Sequence, residues 1–351
     1  MKAIVYKSPG KWEFEDRPKP KLTDPKNVLL RVLGVGICGT DLHVLQIPQM
    51  HPAKPDIILG HEYAAVVEEV GAEVDWLNPG DHVVVDPHPP CGTCMHCRSD
   101  RPEMCTSFYC QQGTPYEEHG LTRGLFQDGA LTSYTCVPAQ SVYKISKDVP
   151  YNIAALAEPL ACTGFAIEKL KIQAGDTVCV LGAGPIGLLF TTLAKTNGAS
   201  KVIVSEPHEY RRNKSLKCGA DIVVNPDVED IRQVCLKETG IGVDHCIEAV
   251  GQLLMTAIDC IRPNGKVLMF GHDETATPGI RLAEIVRKEA QIYGGFLGKY
   301  YFEKTVRIIE SGILKLEEIA SHTFPLSRFQ DALDTLRKGE AIKAVVYPEE
   351  Y

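Results

Sequence analysis

The sequence has no apolar run of membrane-spanning length. It also has no basic N-terminal segment followed by an apolar one. Neither a spanning helix nor a secretory leader is therefore expected. Positive charge is in deficit: 37 lysines and arginines face 45 aspartates and glutamates, for a formal net charge of −8. A nucleic-acid binder needs a basic footprint, so the deficit speaks against one and for a surface that meets small molecules. Repeats and low-complexity linkers are absent too. Cysteine is abundant, with 13 residues, an odd count. Without a leader the expected compartment is the reducing cytoplasm, where clustered thiols bind metal rather than pair as disulfides.

The chain of 351 residues, 44% apolar and 23% charged, suffices for two globular domains. Met1–Tyr6 reads as a strand. The first part is β-rich: short apolar runs such as Val28–Val35, Ala64–Val70 and His82–Val85 are separated by Gly, Pro and Asp. From Thr177 strands and helices alternate, as in a parallel sheet. Thr177–Leu181, Lys201–Ser205, Asp221–Val224, Val243–Ala249, Lys266–Phe270 and Ala290–Tyr293 are six expected strands. Ile186–Thr196, Val228–Glu238 and Leu253–Ile261 are expected helices between them. The fold class is α/β. Helix patterns at Phe302–Ser311 and Leu326–Arg337 and a strand at Lys343–Tyr347 form a tail too short for a domain. The expected division is 1–155, 156–295 and a returning 296–351.

Three clusters carry chemistry. Leu181 is followed by Gly182, Ala183, Gly184, Pro185, Ile186 and Gly187, a Gly-x-Gly-x-x-Gly run between a strand and a helix. The glycines allow a tight turn, approach of a pyrophosphate and close helix–strand packing, and the helix N-terminus faces the phosphates. Glu206 ends the next strand, 19 residues past Gly187, where a carboxylate accepts from both ribose hydroxyls and repels a 2′-phosphate. NAD is therefore preferred over NADP, although Arg211 and Arg212 follow close behind. Second, Cys91, Cys94, Cys97 and Cys105 have the spacing of a closed structural zinc site. An iron–sulfur centre also takes four cysteines, but the run lacks the Cys-Pro ending of ferredoxins. Third, Cys38, His61 and Glu62 offer a thiol, an imidazole and a carboxylate, the side chains that bind Zn²⁺ at neutral pH. Thr40 and His43 lie within five positions of Cys38 and suggest a proton relay. Cys110, Cys136, Cys162, Cys179, Cys218, Cys235, Cys246 and Cys260 read as small buried apolar residues or inert thiols.

These motifs, in this order, resemble the zinc-dependent medium-chain alcohol and polyol dehydrogenases. The resemblance rests on Gly36–His43, Gly60–Glu62, the four-cysteine loop, Ala157–Leu160 and Gly182–Gly187. It implies a GroES-like catalytic domain, a Rossmann domain, an active site between them and return of the tail to the catalytic domain. It implies two Zn²⁺ per subunit, with Cys38, His61 and Glu158 as ligands of the catalytic ion. Glu62 is a ligand in some members and stands behind the ligands in others. The competing reading of Glu158 is a charge favoured by a helix N-terminus. By the same resemblance Thr40 takes the substrate proton and His43 passes it outward through the nicotinamide ribose. Ile186, Glu206 and Arg211 match nucleotide contacts, and Gly271, Gly295 and Phe296 match positions lining the nicotinamide.

The Glu-Pro third ligand and Gly-His-Glu are more typical of the sorbitol, threonine and sugar-acid branch than of the ethanol branch. The expected substrate is a polyol, cyclitol or sugar acid. L-Threonine and simple secondary alcohols are the alternatives, and the tryptophan-rich segment associated with threonine dehydrogenases is absent at Val44–Pro48. Within Phe108–Gln127, Tyr109, Tyr116, Glu117, Glu118, His119, Arg123 and Phe126 offer substrate-binding groups, and Arg123 or Lys299 would suit a substrate carboxylate. A non-catalytic nucleotide-binding protein on the same fold would be marked by loss of Cys38, His61 or Glu158. A zinc-free reductase would lack the ligands and the loop. No nucleic-acid or membrane partner is expected. The family suggests a homodimer or homotetramer.

Overall fold

The computed structural model describes residues 1–108, 121–273, 275–298 and 300–349. The chain forms two compact units. One comprises Met1–Pro159, Lys299–Ser311 and Ala320–Tyr351; the other comprises Leu160–Gly298 and Gly312–Ile319. Among the described residues no helix is long and apolar enough to cross a membrane.

The first unit is built on antiparallel strands. β1 (Lys2–Ser8) and β2 (Lys11–Asp16) form a ribbon. β3 (Asn27–Gly36), β4 (Glu62–Val70), β5 (His82–Val85), β6 (Tyr134–Pro138) and β7 (Val142–Lys144) form a sheet with the C-terminal strands β14 (His322–Pro325) and β15 (Ala344–Tyr347). The order is β14-β15-β3-β4-β5-β7, with β6 also paired to β3. The helices of this unit are α1 (Gly39–Val44), α2 (Met95–Arg98), α3 (Tyr151–Ala154) and the start of α4 (Ala157–Ile167). Its core gathers Ile4, Tyr6, Leu30, Val35, Leu59 and Tyr63, closed by Phe329 and Leu333 of the C-terminal segment. β15 pairs with β3 at Val345–Gly36 and Val346–Val35. The tail thus contributes main-chain hydrogen bonds to the sheet as well as a packed helix.

The second unit is a six-stranded parallel sheet. Its strands are β8 (Thr177–Leu181), β9 (Lys201–Ser205), β10 (Ile222–Val224), β11 (Val243–Glu248), β12 (Ile261–Met269) and β13 (Gln291–Gly294). They run in the order β10-β9-β8-β11-β12-β13. β8 and β9 are buried at four of five positions each, as strands covered on both faces must be. The helices are α5 (Pro185–Thr196), α6 (Glu209–Lys217), α7 (Ile231–Thr239), α8 (Leu254–Cys260) and α9 (Leu282–Lys288). Strand order reverses on either side of β8, so the loop after β8 lies at a topological switch point, where such sheets bind ligands. This is the doubly wound sheet expected from the strand–helix alternation.

α6 and α9 escaped the apolar periodicity for a physical reason. Only Ser215 of α6 is buried, and no residue of α9 is. The α6 sequence is polar almost throughout, and the short apolar run of α9 (Leu282, Ile285 and Val286) buries no residue in this chain, so neither stands out as a core-facing stripe. α10 (Phe302–Ser311) has the bounds the sequence implies. The Leu326–Arg337 segment splits into a 3-10 turn and α11 (Phe329–Arg337).

His245 on β11 is 4% exposed. One ring nitrogen, Nε2, lies 2.8 Å from Asp176, while Nδ1 is buried without a hydrogen-bond partner. Burial holds the imidazole below its ordinary value of 6.5, outweighing the pull of Asp176. The neutral ring therefore contributes stability that is complete above pH 6.5 and is lost as the pH falls towards the depressed native value. Replacing His245 by Gln is expected to flatten the fall in melting temperature below pH 6.5, as measured by calorimetry. An unchanged slope would remove His245 as a source of acid lability.

Candidate active site

The ends of β3 and β4 build the first unit's polar pocket. Gly36 and Glu62 are partners across the β3–β4 ladder. A side chain at Gly36 would collide with the Glu62 carboxylate, so glycine leaves the space the acid occupies. Two residues past Gly36 the chain caps α1. The Cys38 N–H donates to Asp41 Oδ2 (2.9 Å), and the Cys38 sulfur lies 3.6 Å from Thr40 Oγ1. His61 directly precedes β4, after Gly60 at φ +91°, a conformation side-chain-bearing residues rarely adopt. The pairing thus brings together ligand atoms of Cys38, His61 and Glu62, all within 4.8 Å of one another. Thr40 and His43, three apart on α1, share one side of that helix.

Charge is concentrated here on buried side chains. Asp41, His61, Glu62 and Glu158 are each at most 7% exposed. Burial pushes the Asp41 carboxyl above its ordinary value. Burial alone would lower His61, yet Asp41, Cys38 and Glu158 together raise it well above the usual histidine range. Asp41 Oδ1 lies 3.7 Å from His61 Nδ1, and both atoms lack a hydrogen-bond partner. A thiol, an imidazole and carboxylates with this deficit of positive charge fit a divalent cation. Glu158, in the first turn of α4, stands outside the 4.8 Å set but near enough for its charge to act on His61 and Lys343. Among the described residues the Lys343 ammonium is the cation bonded within this cluster. It donates to both Glu62 oxygens (2.6 and 2.8 Å) and to Ile37 O (3.0 Å).

In the cysteine loop, ligand atoms of Cys91, Cys94, Cys97 and Cys105 also lie within 4.8 Å of one another. Backbone amides point at the sulfurs: Cys94 N–H donates to Cys91 Sγ and Cys91 N–H to Cys105 Sγ. The amide donors of Thr93 and Cys97 lower Cys91 to about 7 and Cys94 to about 5. Burial, with the neighbouring Cys94 sulfur, pushes Cys97 the other way, up to about 12, so the loop holds Cys91 and Cys94 ready as thiolates, the form a metal binds, while Cys97 keeps its proton until a cation takes its place.

In the second unit, Gly182 has φ +93°, and a side chain at Gly187 would strike the Gly182 carbonyl. A side chain at Gly184 would meet nothing within 4 Å, so the loop keeps open space at the α5 N-terminus. Ile186 lies half-buried in the first turn of that helix. Glu206, 3% exposed, accepts from the N–H groups of Ala183 (2.8 Å) and His208 (3.0 Å). Arg212 is committed to the Glu206 and Pro207 carbonyls, whereas Arg211 keeps a buried Nε with no partner. The open cradle, the carboxylate at its edge and this unpartnered donor fit a dinucleotide. Gly271 lies so close to Val250 and Gly251 that a side chain there would strike their backbone, and Gly295 packs against Phe270. Phe296 is 37% exposed.

Several positions were invisible as pattern. Asp41 lies inside the recognised motif, but only the fold aims it at His61. Lys343 lies 281 residues from Glu62, and nothing local marks it. Glu248 ends β11 and accepts from the amides of Val250 and Gly251, holding the loop beside Gly182. Phe126 belongs to the apolar core, and Arg123 donates to Asp128 O. Tyr109, Tyr116, Glu117, Glu118, His119, Cys110 and Lys299 lie outside the described residues.

Family models match in the corresponding places: the alcohol dehydrogenase GroES-like domain over residues 24–147 and the zinc-binding dehydrogenase domain over 185–311. The chain belongs to the zinc-dependent medium-chain alcohol dehydrogenases, enzymes that oxidise alcohols with a nicotinamide cofactor. It is 35% identical over 344 residues to an L-threonine 3-dehydrogenase of Pyrococcus furiosus, covering 94% of this chain and 92% of that one. It is 33% identical to an erythritol/L-threitol dehydrogenase of Mycolicibacterium smegmatis over 99% of this chain and 98% of the relative. A putative zinc-binding dehydrogenase from Sinorhizobium meliloti, solved with NADP, superposes with a TM-score of 0.89 at 27% identity over 99% of both chains.

Replacing Lys343 by Met is expected to destabilise the protein by about 3–5 kcal/mol, because Glu62 would remain buried without its cation. Denaturant titration measures this, and a Glu62→Gln/Lys343→Met double variant should recover much of the loss. Equal losses in the single and double variants would contradict the pairing.

Proposed function

We propose that this enzyme oxidises a secondary alcohol flanked by another polar group, in a polyol, cyclitol or sugar acid, with NAD as acceptor. The observation that carries the reading is the buried cluster of Cys38, His61 and Glu62, with Glu158 close by and Thr40 against the Cys38 sulfur. Cys38, His61 and Glu158 would hold a catalytic zinc, and Cys91, Cys94, Cys97 and Cys105 a structural one. When bound, zinc supplies the Lewis acidity that lowers the pKa of an alcohol hydroxyl. Thr40 takes the proton at Oγ1, and His43, one turn along α1, passes it outward. Asp41, 3.7 Å from the His61 ring, acts on the imidazole through its charge and would take up the carboxylate's place behind a ligating imidazole. Lys343 neutralises Glu62 and draws it from the ligand set, so the two carboxylates play unequal parts.

Gly182, Gly184, Pro185, Ile186 and Gly187 would cradle the NAD pyrophosphate. Glu206 would take the adenosine ribose, with Arg211 beside it. Gly271, Gly295 and Phe296 would line the nicotinamide. Glu206 accepts from Ala183 with one oxygen and from His208 with the other, so the edge of the cradle presents a carboxylate, which repels a 2′-phosphate. That supports NAD over NADP. Threonine is the second reading, supported by the name of the 35% relative. Both substrate types carry a polar group beside the alcohol carbon.

β13 is an edge strand, and Ile280, Leu282, Val286 and Ile292 near it are 40–73% exposed. We therefore propose a homo-oligomer through this edge. Sedimentation should give a mass of at least two chains, and a monomer at micromolar concentration would refute it.

The activity is tested by NADH and NADPH formation over polyols, aldonic acids, cyclitols and L-threonine. The expected result is turnover of a polyhydroxylated compound with NAD favoured. Turnover of threonine alone would select the second reading. Thr40→Ala is expected to lower kcat by about 10²-fold or more with zinc content intact, and normal turnover would sink the relay.

A further inference from the structure

The thiols read from sequence as scattered core residues are not scattered. Cys179 on β8, Cys235 on α7 and Cys260 at the end of α8 bring their sulfurs within 4.8 Å of one another, as do the cysteines of the Cys91–Cys105 loop. They are 0%, 0% and 1% exposed. Cys246 on β11 is the register partner of Cys179 and lies within hydrogen-bonding reach of Cys179 and Cys260. Four elements thus deliver four sulfurs to one point inside the second unit. All four belong to its apolar core. Apolar packing explains a buried cysteine, but it gives no reason for four to converge.

We propose that Cys179, Cys235 and Cys260 form a further metal site, which takes a thiophilic d¹⁰ cation of the zinc type with Cys246 beside it. Sulfurs bound at about 2.3 Å to one ion lie about 3.8 Å apart, within the observed span. Binding is not redox chemistry: each of the three thiols gives up its proton to solvent as its sulfur forms a bond to the cation. A divalent ion with three thiolates carries one net negative charge, which a buried site must balance. Lys288 is placed to do so. Its ammonium donates to the carbonyls of Ile258 (2.8 Å), Asp259 (3.0 Å) and Ile261 (2.6 Å), the residues around Cys260. Its charge also acts on the Cys260 sulfur.

With no exposed face, the site is loaded as the unit folds. The bound ion ties α7 and α8 to the central strand. Fully buried and closed to substrate, it has a structural part.

The test uses full-length protein purified without chelator from zinc-supplemented medium. Anomalous diffraction at the zinc edge should show a peak bonded to the sulfurs of Cys179, Cys235 and Cys260. Cys235→Ala should lose one metal equivalent relative to the parent, keep its binding of NADH, and melt at a lower temperature. No anomalous peak among these sulfurs, equal metal content in parent and variant, or a Cys179–Cys246 disulfide found by mass spectrometry would each overturn the proposal. If Cys235→Ala does not fold, the map of the parent protein alone decides. The map reports the Cys38 and Cys91 sites separately, so failure here leaves the proposed activity untouched.

Discussion

The first unit's pocket depends on one constraint: a carboxylate, Glu62, sealed from water between two zinc-type donors. Among the described residues its ionic partner is the Lys343 ammonium, itself 2% exposed. Neither charge is tolerable alone in that environment. The strand pairings around it follow from satisfying both. β15 must lie against β3 to deliver Lys343, and Gly36 must lack a side chain to admit Glu62. The same ladder end places Cys38 and His61 on either side of the acid.

This arrangement sets the two carboxylates apart in surroundings as well as in sequence. Glu62 is neutralised by an ammonium within 3 Å, whereas Glu158 acts on His61 from the start of a helix. Negative charge from Asp41, Cys38 and Glu158 raises the proton affinity of the His61 imidazole despite its burial.

The second unit uses glycine for the converse purpose. Gly182 and Gly187 let backbone meet backbone, and Gly184 leaves space empty. Glu206 and Glu248, at the ends of β9 and β11, both spend their oxygens on loop amides. The rims of the candidate nucleotide site are thereby fixed by hydrogen bonds within the protein.

Short-range patterns were legible in the sequence because their causes are local. The spacing of Cys91–Cys105 closes a loop on itself, and Gly182–Gly187 shapes one turn. β8 and β9 kept their full extent because strands buried on both faces are apolar throughout. Helices α6 and α9 were not legible, since they bury almost nothing. The sequence by itself determined the ligand types, the order of the motifs and the alternation of the parallel sheet. Only the tertiary structure decided that Lys343 meets Glu62, that Asp41 faces His61, and that Cys179, Cys235, Cys246 and Cys260 share one point. Each of those meetings joins residues on separate elements, and strand register and helix packing, rather than spacing along the chain, set the distances between them.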